Sequence, residues 1–331
     1  MKKIISLAVS TLILILIYTQ IDFNGLIEIF RTCDLLWMTV SLGMVVPITF
    51  FTSWRLQQVV PPYVRLGLWE ANKLILAASV LNMVLPSKMG DIAKAYFMRD
   101  SSLREAADHS DSSAKAHKPI SGSLSLSIVV FEKACDFLSL LLWCSFGLLL
   151  LPVKDAFFIS MTVAIAGGLV AGTLILGSPR VASIFFCGAQ HIAPGKVREK
   201  LKKLEASWGE MQRYFWGDRA RLLTIALTSI FIWFLHLLQI WFFILALNAW
   251  VNPITNLALS PLAILAGLLP LTFAGVGTRD AALIVLYQPY FSAATGAALG
   301  LLCTSRYLLP AIGGLPFLNQ YLTRLNRQQL K

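Results

Sequence analysis

Residues 82–91 read Asn82-Met83-Val84-Leu85-Pro86-Ser87-Lys88-Met89-Gly90-Asp91. Residues 269–280 read Leu269-Pro270-Leu271-Thr272-Phe273-Ala274-Gly275-Val276-Gly277-Thr278-Arg279-Asp280. Each interrupts an apolar stretch, 68–98 in the first case and 257–290 in the second. Pro86 and Pro270 remove a helical hydrogen bond and clash with the preceding turn. Gly90, Gly275 and Gly277 then permit a sharp reversal. Each stretch is therefore expected to form two half-helices joined by a turn inside a membrane. The alternative is a set of eight simple spans, two of them kinked.

Working outward, the whole chain is apolar. Of 331 residues, 57% are hydrophobic and 14% charged, with a mean hydropathy of +0.70. Soluble globular domains average about 45–50% apolar and about 25% charged, and disorder requires low hydrophobicity. Both classes are excluded, and an all-α polytopic membrane protein remains. A crossing helix needs about 20 apolar residues. Stretches 4–21, 35–53, 125–151, 157–177, 222–248 and 291–317 meet this. The fold expected is six full spans plus two re-entrant hairpins, in one integral membrane domain over residues 1–331.

Positive charge orients the spans. Met1-Lys2-Lys3 precedes the first apolar run, and no small-residue cleavage site follows it. It reads as an uncleaved span with a cytoplasmic N-terminus. The segment 178–221 carries nine Lys and Arg, among them Arg180, Arg198 and Lys202, and should also be cytoplasmic. That side is reached only if 68–98 enters and returns. The same parity puts hairpin 257–290 on the outer side and the C-terminus in the cytoplasm. Each half, 4–151 and 157–317, then reads span, span, hairpin, span, with opposite orientations. Inverted repeats with paired broken helices are a transporter architecture.

The net charge of +11 fits cytoplasmic loops facing anionic lipid better than nucleic-acid binding. The cytoplasmic loops expected are 99–122, which is Ser-rich, and 178–221. Within the second, Val197, Leu201, Leu204, Trp208, Met211 and Phe215 recur at steps of four and three. They predict an amphipathic helix over 196–216, lying on the inner leaflet or packing on the ends of the spans. The five cysteines lack metal spacing and read as small core hydrophobes. Arg55, just after the second span, reads as an interfacial anchor, and His236 as a packed core histidine.

Ionisable groups inside hydrocarbon are functional candidates by default. Three clusters qualify. The first is Asn82, Lys88 and Asp91, continuing to Lys94 and Arg99. There a helix start could receive an anion. The second is Arg279 and Asp280 beside Gly275 and Gly277, with Arg306 from the final span. The third is Glu132, Lys133 and Asp136. Glu132 and Asp136 are four apart and share one helix face, which should look inward toward cations such as Lys88, Arg99 or Arg279. No catalytic residue, metal site or cofactor is expected, since no nucleophile elbow, metal spacing or phosphate loop occurs.

Leu85-Pro86-x-x-x-Gly90-Asp91, then Phe131-Glu132-Lys133-x-x-Asp136, then Pro270-x-x-x-x-Gly275-x-Gly277-x-Arg279-Asp280, and Arg306, occur in this order and spacing. The pattern resembles the lysylphosphatidylglycerol synthase transmembrane family, also called flippase-like domain proteins. Family members usually place Glu after the Gly; Asp91 and Asp280 keep the charge with a shorter reach. The resemblance covers nearly the whole chain. It implies a cell inner-membrane protein that moves or handles a lipid. The synthase's soluble aminoacyl-transfer domain is not expected in this chain.

The leading expectation is a translocator of an anionic or modified envelope lipid or lipid-linked intermediate, and not an enzyme. Lys88, Arg99, Arg279, Arg306 and Asn82 would meet the head group. Asp91, Glu132, Lys133, Asp136 and Asp280 would pair charges or couple protons. Pro86, Gly90, Pro270, Gly275 and Gly277 would shape the hairpins. The rival expectations are a non-transporting accessory of a glycosyltransferase or envelope-lipid enzyme, and, less favoured, an intramembrane enzyme acting on a polyprenyl or phospholipid substrate. The expected partners are anionic membrane lipids, with an envelope-lipid enzyme or glycosyltransferase as the further one, and no nucleic acid.

Overall fold

Helix starts follow polar residues that can accept from free backbone N–H groups. Asp34 accepts from Leu36 and Trp37, Ser121 from Leu124, Asp218 from Arg221 and Ser292 from Thr295. The computed structural model describes residues 23–61, 64, 66–84, 90–108, 120–151, 156–268 and 277–329. The expected first span, 4–21, lies outside them. So do Pro86, Lys88, Pro270 and Gly275.

Among the described residues every regular element is helical. In chain order these are α1 (Phe23–Arg31), α2 (Leu35–Gly43), α3 (Val45–Val59), α4 (Leu68–Val84) and α5 (Gly90–Asp108). The long α6 (Gly122–Leu150) and α7 (Ala156–Gly177) follow, then α8 (Pro179–Ile192), α9 (Gly195–Gly217) and α10 (Arg219–Ala246). The chain closes with α11 (Pro253–Leu268), α12 (Thr278–Tyr287), α13 (Ala293–Ser305) and α14 (Leu308–Gln329). Among the described residues, five helical stretches are long and apolar enough to cross a membrane: Leu35–Val59, Gly122–Leu150, Phe158–Gly177, Arg219–Ala246 and Ala293–Thr323. Large side chains such as Leu149, Val163 and Leu227 lie exposed on them. In water such faces would aggregate; against lipid they need no cover. The protein is an all-α polytopic membrane protein.

Both interrupted stretches are helix pairs. In each, the second helix packs on the first, α5 on α4 and α12 on α11. The close approach explains two glycines. A Cβ at Gly90 would strike the Ala78 carbonyl and the Asn82 backbone. A Cβ at Gly267 would come 2.7 Å from Cβ of Arg279. Helix α5 also runs on to Asp108, into residues expected as loop.

The two halves clasp each other reciprocally. Helix α14 lies along α4, and helix α6 lies along α11. Both crossings need a glycine: a Cβ at Gly314 would strike the Leu76 carbonyl, and one at Gly147 the Ala258 carbonyl. Helices α3 and α10 pack together between the halves. Arg221 locks them further, donating from Nε to the Gln58 carbonyl at 2.7 Å and from Nη2 to that of Val60 at 3.0 Å. These carbonyls close the end of α3, where a cation is favoured.

The amphipathic segment forms α9, and its apolar face is used inside the protein. Trp208 and Met211 are buried, and Trp208 packs edge-on against Phe131 of α6 and Phe186 of α8. Of the two placements expected, packing on neighbouring helices is the observed one. Cys135, Cys144 and Cys303 are buried and free.

Candidate functional site

Helix α3 turns a polar stripe, Thr49, Thr52 and Arg55, toward the middle of the bundle. The spacing of three keeps the stripe on one face. A cavity of about 450 Å³ opens beside it, within the usual range for ligand sites. Both helix pairs contribute to its wall: Ser79, Asn82, Asp91 and Lys94 from the first, Arg279 from the second. Helix α6 adds Glu132, Lys133 and Asp136. Trp233, His236 and Gln239 come from α10, and Thr304, Arg306 and Tyr307 lie at the α13–α14 junction.

One wall is an ionic network. Glu132 is 1% exposed and accepts from two cations: Arg55 Nη2 at 3.2 Å and Lys94 Nζ at 2.5 Å. Arg55, itself 1% exposed, donates from Nη1 to Asp136 Oδ1 and to Ser229 Oγ. Lys133 then reaches Asp136 at 3.4 Å and Asp91 at 3.3 Å. Four helices, α3, α5, α6 and α10, meet at these groups. Isolated buried charges are costly, but partnered ones are tolerated and resist removal of a single member.

Another part of the lining comes from α12 and α13. Gly277 has φ 103° and starts α12, a backbone angle that side chains other than glycine's rarely adopt. Its N–H donates to Asp280 Oδ2 at 3.2 Å. Arg279 donates to the other oxygen, Oδ1, from Nε at 2.9 Å and from Nη2 at 2.6 Å. Arg279 Nη2 also donates to the Gly300 carbonyl at 3.0 Å and to Thr304 Oγ1 at 2.6 Å. Arg279 is thereby committed to its own neighbours. Below it, Tyr287, Ser260 and Asn256 form a buried hydrogen-bonded triangle that ties α12 to α11.

Arg306 differs from the other cations. It is 5% exposed, and Nη2 donates to Tyr307 Oη at 3.0 Å. Its Nε and Nη1 have no hydrogen-bond partner. The guanidinium carbon lies 5.0 Å from the centre of the Tyr307 ring, a cation–π distance.

The expected site residues divide accordingly. Asn82, Asp91, Glu132, Lys133, Asp136, Arg279 and Arg306 line one cavity, and Asp280 braces it from behind. Gly90 holds a close backbone approach, and Gly277 the positive-φ start of α12. Arg99 is exposed and lies beside Gly122, away from the cavity. The inward acids do not meet Arg99 or Arg279; their partners are Arg55, Lys94 and Lys133. Arg55 is no interfacial anchor. Helix α3 continues to Val59 and carries Arg55 inside. The Thr49-Thr52-Arg55 spacing would have disclosed it, had the apolar run not been ended at 53. His236 packs beside Trp233, their rings 5.6 Å apart. Among the described residues no three of His, Cys, Asp and Glu converge as metal ligands.

Paired broken helices around a charged cavity, in a lipid-exposed bundle, match one comparison. Residues 3–314 match the lysylphosphatidylglycerol synthase TM region. The chain belongs to that family. A search of curated proteins finds no match. The lysylphosphatidylglycerol synthase TM region is the flippase-like part of the synthase, not its catalytic domain, so membership links this chain to membrane lipids. In this member of the family, the glycine-acid pairs of the two helix pairs have different partners. Asp91 meets Lys133, whereas Asp280 meets its own neighbour Arg279.

Proposed function

We propose that the protein translocates an anionic or modified envelope lipid, or a lipid-linked intermediate, across the cytoplasmic membrane. The carrying observation is the cavity of about 450 Å³ whose lining draws residues from both helix pairs. A head group crossing a bilayer needs a polar route bounded by protein, because hydrocarbon offers it no hydrogen bonds. The cavity supplies charged and hydroxyl groups, while the exposed apolar helix faces leave acyl chains in lipid. The helix pairs act as re-entrant hairpins entering from opposite sides, and rocking of one half against the other changes the side from which the cavity opens. Both termini, and the basic α8–α9 segment, face the cytoplasm.

In this reading the network around Glu132 is a fixed wall. Asn82, Lys88 and Arg306 meet the head group, while Arg279 is held by Asp280. Reconstitution tests it. Vesicles containing the protein should equilibrate a fluorescent anionic phospholipid between leaflets faster than protein-free vesicles. Lys88→Ala and Arg306→Ala should slow that exchange. Equal rates with and without protein, across a series of anionic and modified lipids, would falsify the proposal.

A further inference from the structure

Helix α8 is divided lengthwise into three faces. Ala182, Phe186 and Gln190, spaced by four, are buried against the protein. Arg180, Ser183, Cys187 and His191 are exposed, three polar groups and a thiol. The last face is exposed and apolar: Ile184, Phe185, Gly188 and Ile192, with Ile184 72% and Ile192 90% exposed. At about 3.6 residues per turn these sets occupy separate sectors. Glu205 of α9 fixes the rotation of α8, accepting from Ser183 Oγ at 2.9 Å and from Gln190 Nε2 at 2.7 Å. The 14 residues of α8 rise about 21 Å, short of the about 30 Å of a hydrocarbon core. Its N-cap Ser178 directly follows α7, which is long and apolar enough to cross, so α8 starts at a membrane surface.

We propose that α8 lies in the plane of the membrane and docks on its anionic surface, with the stripe from Ile184 to Ile192 among the acyl chains. One face on protein, one in lipid and one toward water is the arrangement of an interfacial helix. Such a stripe left in water would be a liability. Charge selects the surface. Arg180 opens α8, and Arg198, Lys200, Lys202 and Lys203 stand exposed in the first turns of α9, just past Pro194. The described carboxylates beside them are Glu199 and Glu205, and Glu205 is taken up by α8. Cations in excess at a membrane surface attract anionic lipid. A second copy docking on the same patch would bring these cations face to face. The leaflet-bound helix is thus α8, not the basic amphipathic α9, whose apolar face is already spent on Phe131 and Phe186. No described residue of α8 lines the cavity between the helix pairs, so the inference goes beyond translocation and does not rest on it.

Spin labels at two adjacent positions of the full chain, in vesicles of phosphatidylcholine and phosphatidylglycerol, test the placement. Cys187 is exposed in the water-facing sector, whereas Gly188 lies in the stripe, and a Cβ there meets nothing within 4 Å. One chain keeps Cys187; the other carries Cys187→Ser and Gly188→Cys. Both carry Cys33→Ser, which leaves only buried thiols besides the labelled one. The label at 188 should be reached by oxygen and shielded from a water-soluble nickel chelate, and the label at 187 the reverse. The oxygen-to-nickel accessibility ratio should differ about tenfold between them. Equal nickel access at both positions puts the stripe in water and overturns the proposal. A label at 188 that is immobilised and reached by neither reagent overturns it too, because protein, from a second copy or elsewhere in the chain, then covers the stripe. In phosphatidylcholine alone the ratio at 188 should fall about twofold. Lys200→Gln, Lys202→Gln and Lys203→Gln together should give the same low ratio with phosphatidylglycerol present. A ratio indifferent to both changes overturns the anionic partner. Absence of lipid exchange in these vesicles would remove the translocator reading and leave the placement of α8 intact.

Discussion

Lys94 and Glu132 meet inside the bundle, both all but inaccessible to solvent, and Glu132 holds Arg55 with its other oxygen. One carboxylate therefore neutralises cations from two different helices. Its removal should be worse than the loss of either cation. Glu132→Gln should destabilise the protein by about 3–5 kcal/mol, the range for an orphaned buried ion pair. Asp136 is partly exposed, and Arg55 keeps Glu132 when it goes. Asp136→Asn should cost about 1–3 kcal/mol. Denaturant unfolding in detergent micelles reads the difference, and equal losses would refute the assigned hierarchy.

The helix crossings at Gly147 and Gly314 make a second prediction. Any side chain there meets a backbone carbonyl of the facing helix. Gly147→Val and Gly314→Val should each destabilise by about 1–3 kcal/mol or more, as overpacked contacts do. Gly43 has nothing near its missing Cβ, so Gly43→Ala should change stability by less than about 0.5 kcal/mol. Melting temperatures of the three variants decide it.

Arg279 predicts a failure of conservative exchange. Its planar fork serves Asp280, Gly300 and Thr304 at once, and an ammonium cannot reproduce that geometry. Arg279→Lys should lower stability by about 1–3 kcal/mol. Gly300→Ala should mimic it, because the new Cβ would lie 2.9 Å from Cγ of Asp280. Unfolding of the single and double variants tests the link: the two losses should be less than additive.

Trp208 predicts a fourth effect. It fastens α9 to α6 and α8 through Phe131 and Phe186. Trp208→Ala should cost about 3–5 kcal/mol locally and should expose the junction between Ile192 and Gly195 to limited proteolysis. Cleavage at the wild-type rate would mean that α9 is held by other contacts.

How much of this was legible in the sequence depends on what each feature needs. Proline and glycine act through the local backbone, so the breaks near Gly90 and Gly277 could be read directly. Glu132 and Asp136 were legible as an inward face because four residues is one helical turn. Their partners were not, since Arg55 and Lys94 come from helices distant in the chain and only packing joins them. Arg55 was missed because hydropathy ended its helix too soon, at an edge that tertiary contacts carry further. Arg279 looked available for a ligand, yet its neighbour Asp280 already occupies it. Gly314 gave no local sign at all; its meaning depends on Leu76, near the other end of the chain.

That last distance bears on biosynthesis. A chain enters the bilayer from its N-terminus as it leaves the ribosome. Helix α4 (Leu68–Val84) is made long before the surface that covers it, which is on α14 (Leu308–Gln329). The first helix pair must therefore wait in the membrane without that cover until α14 has emerged. Their contact closes a long loop, and a product truncated before α14 leaves α4 without its covering surface.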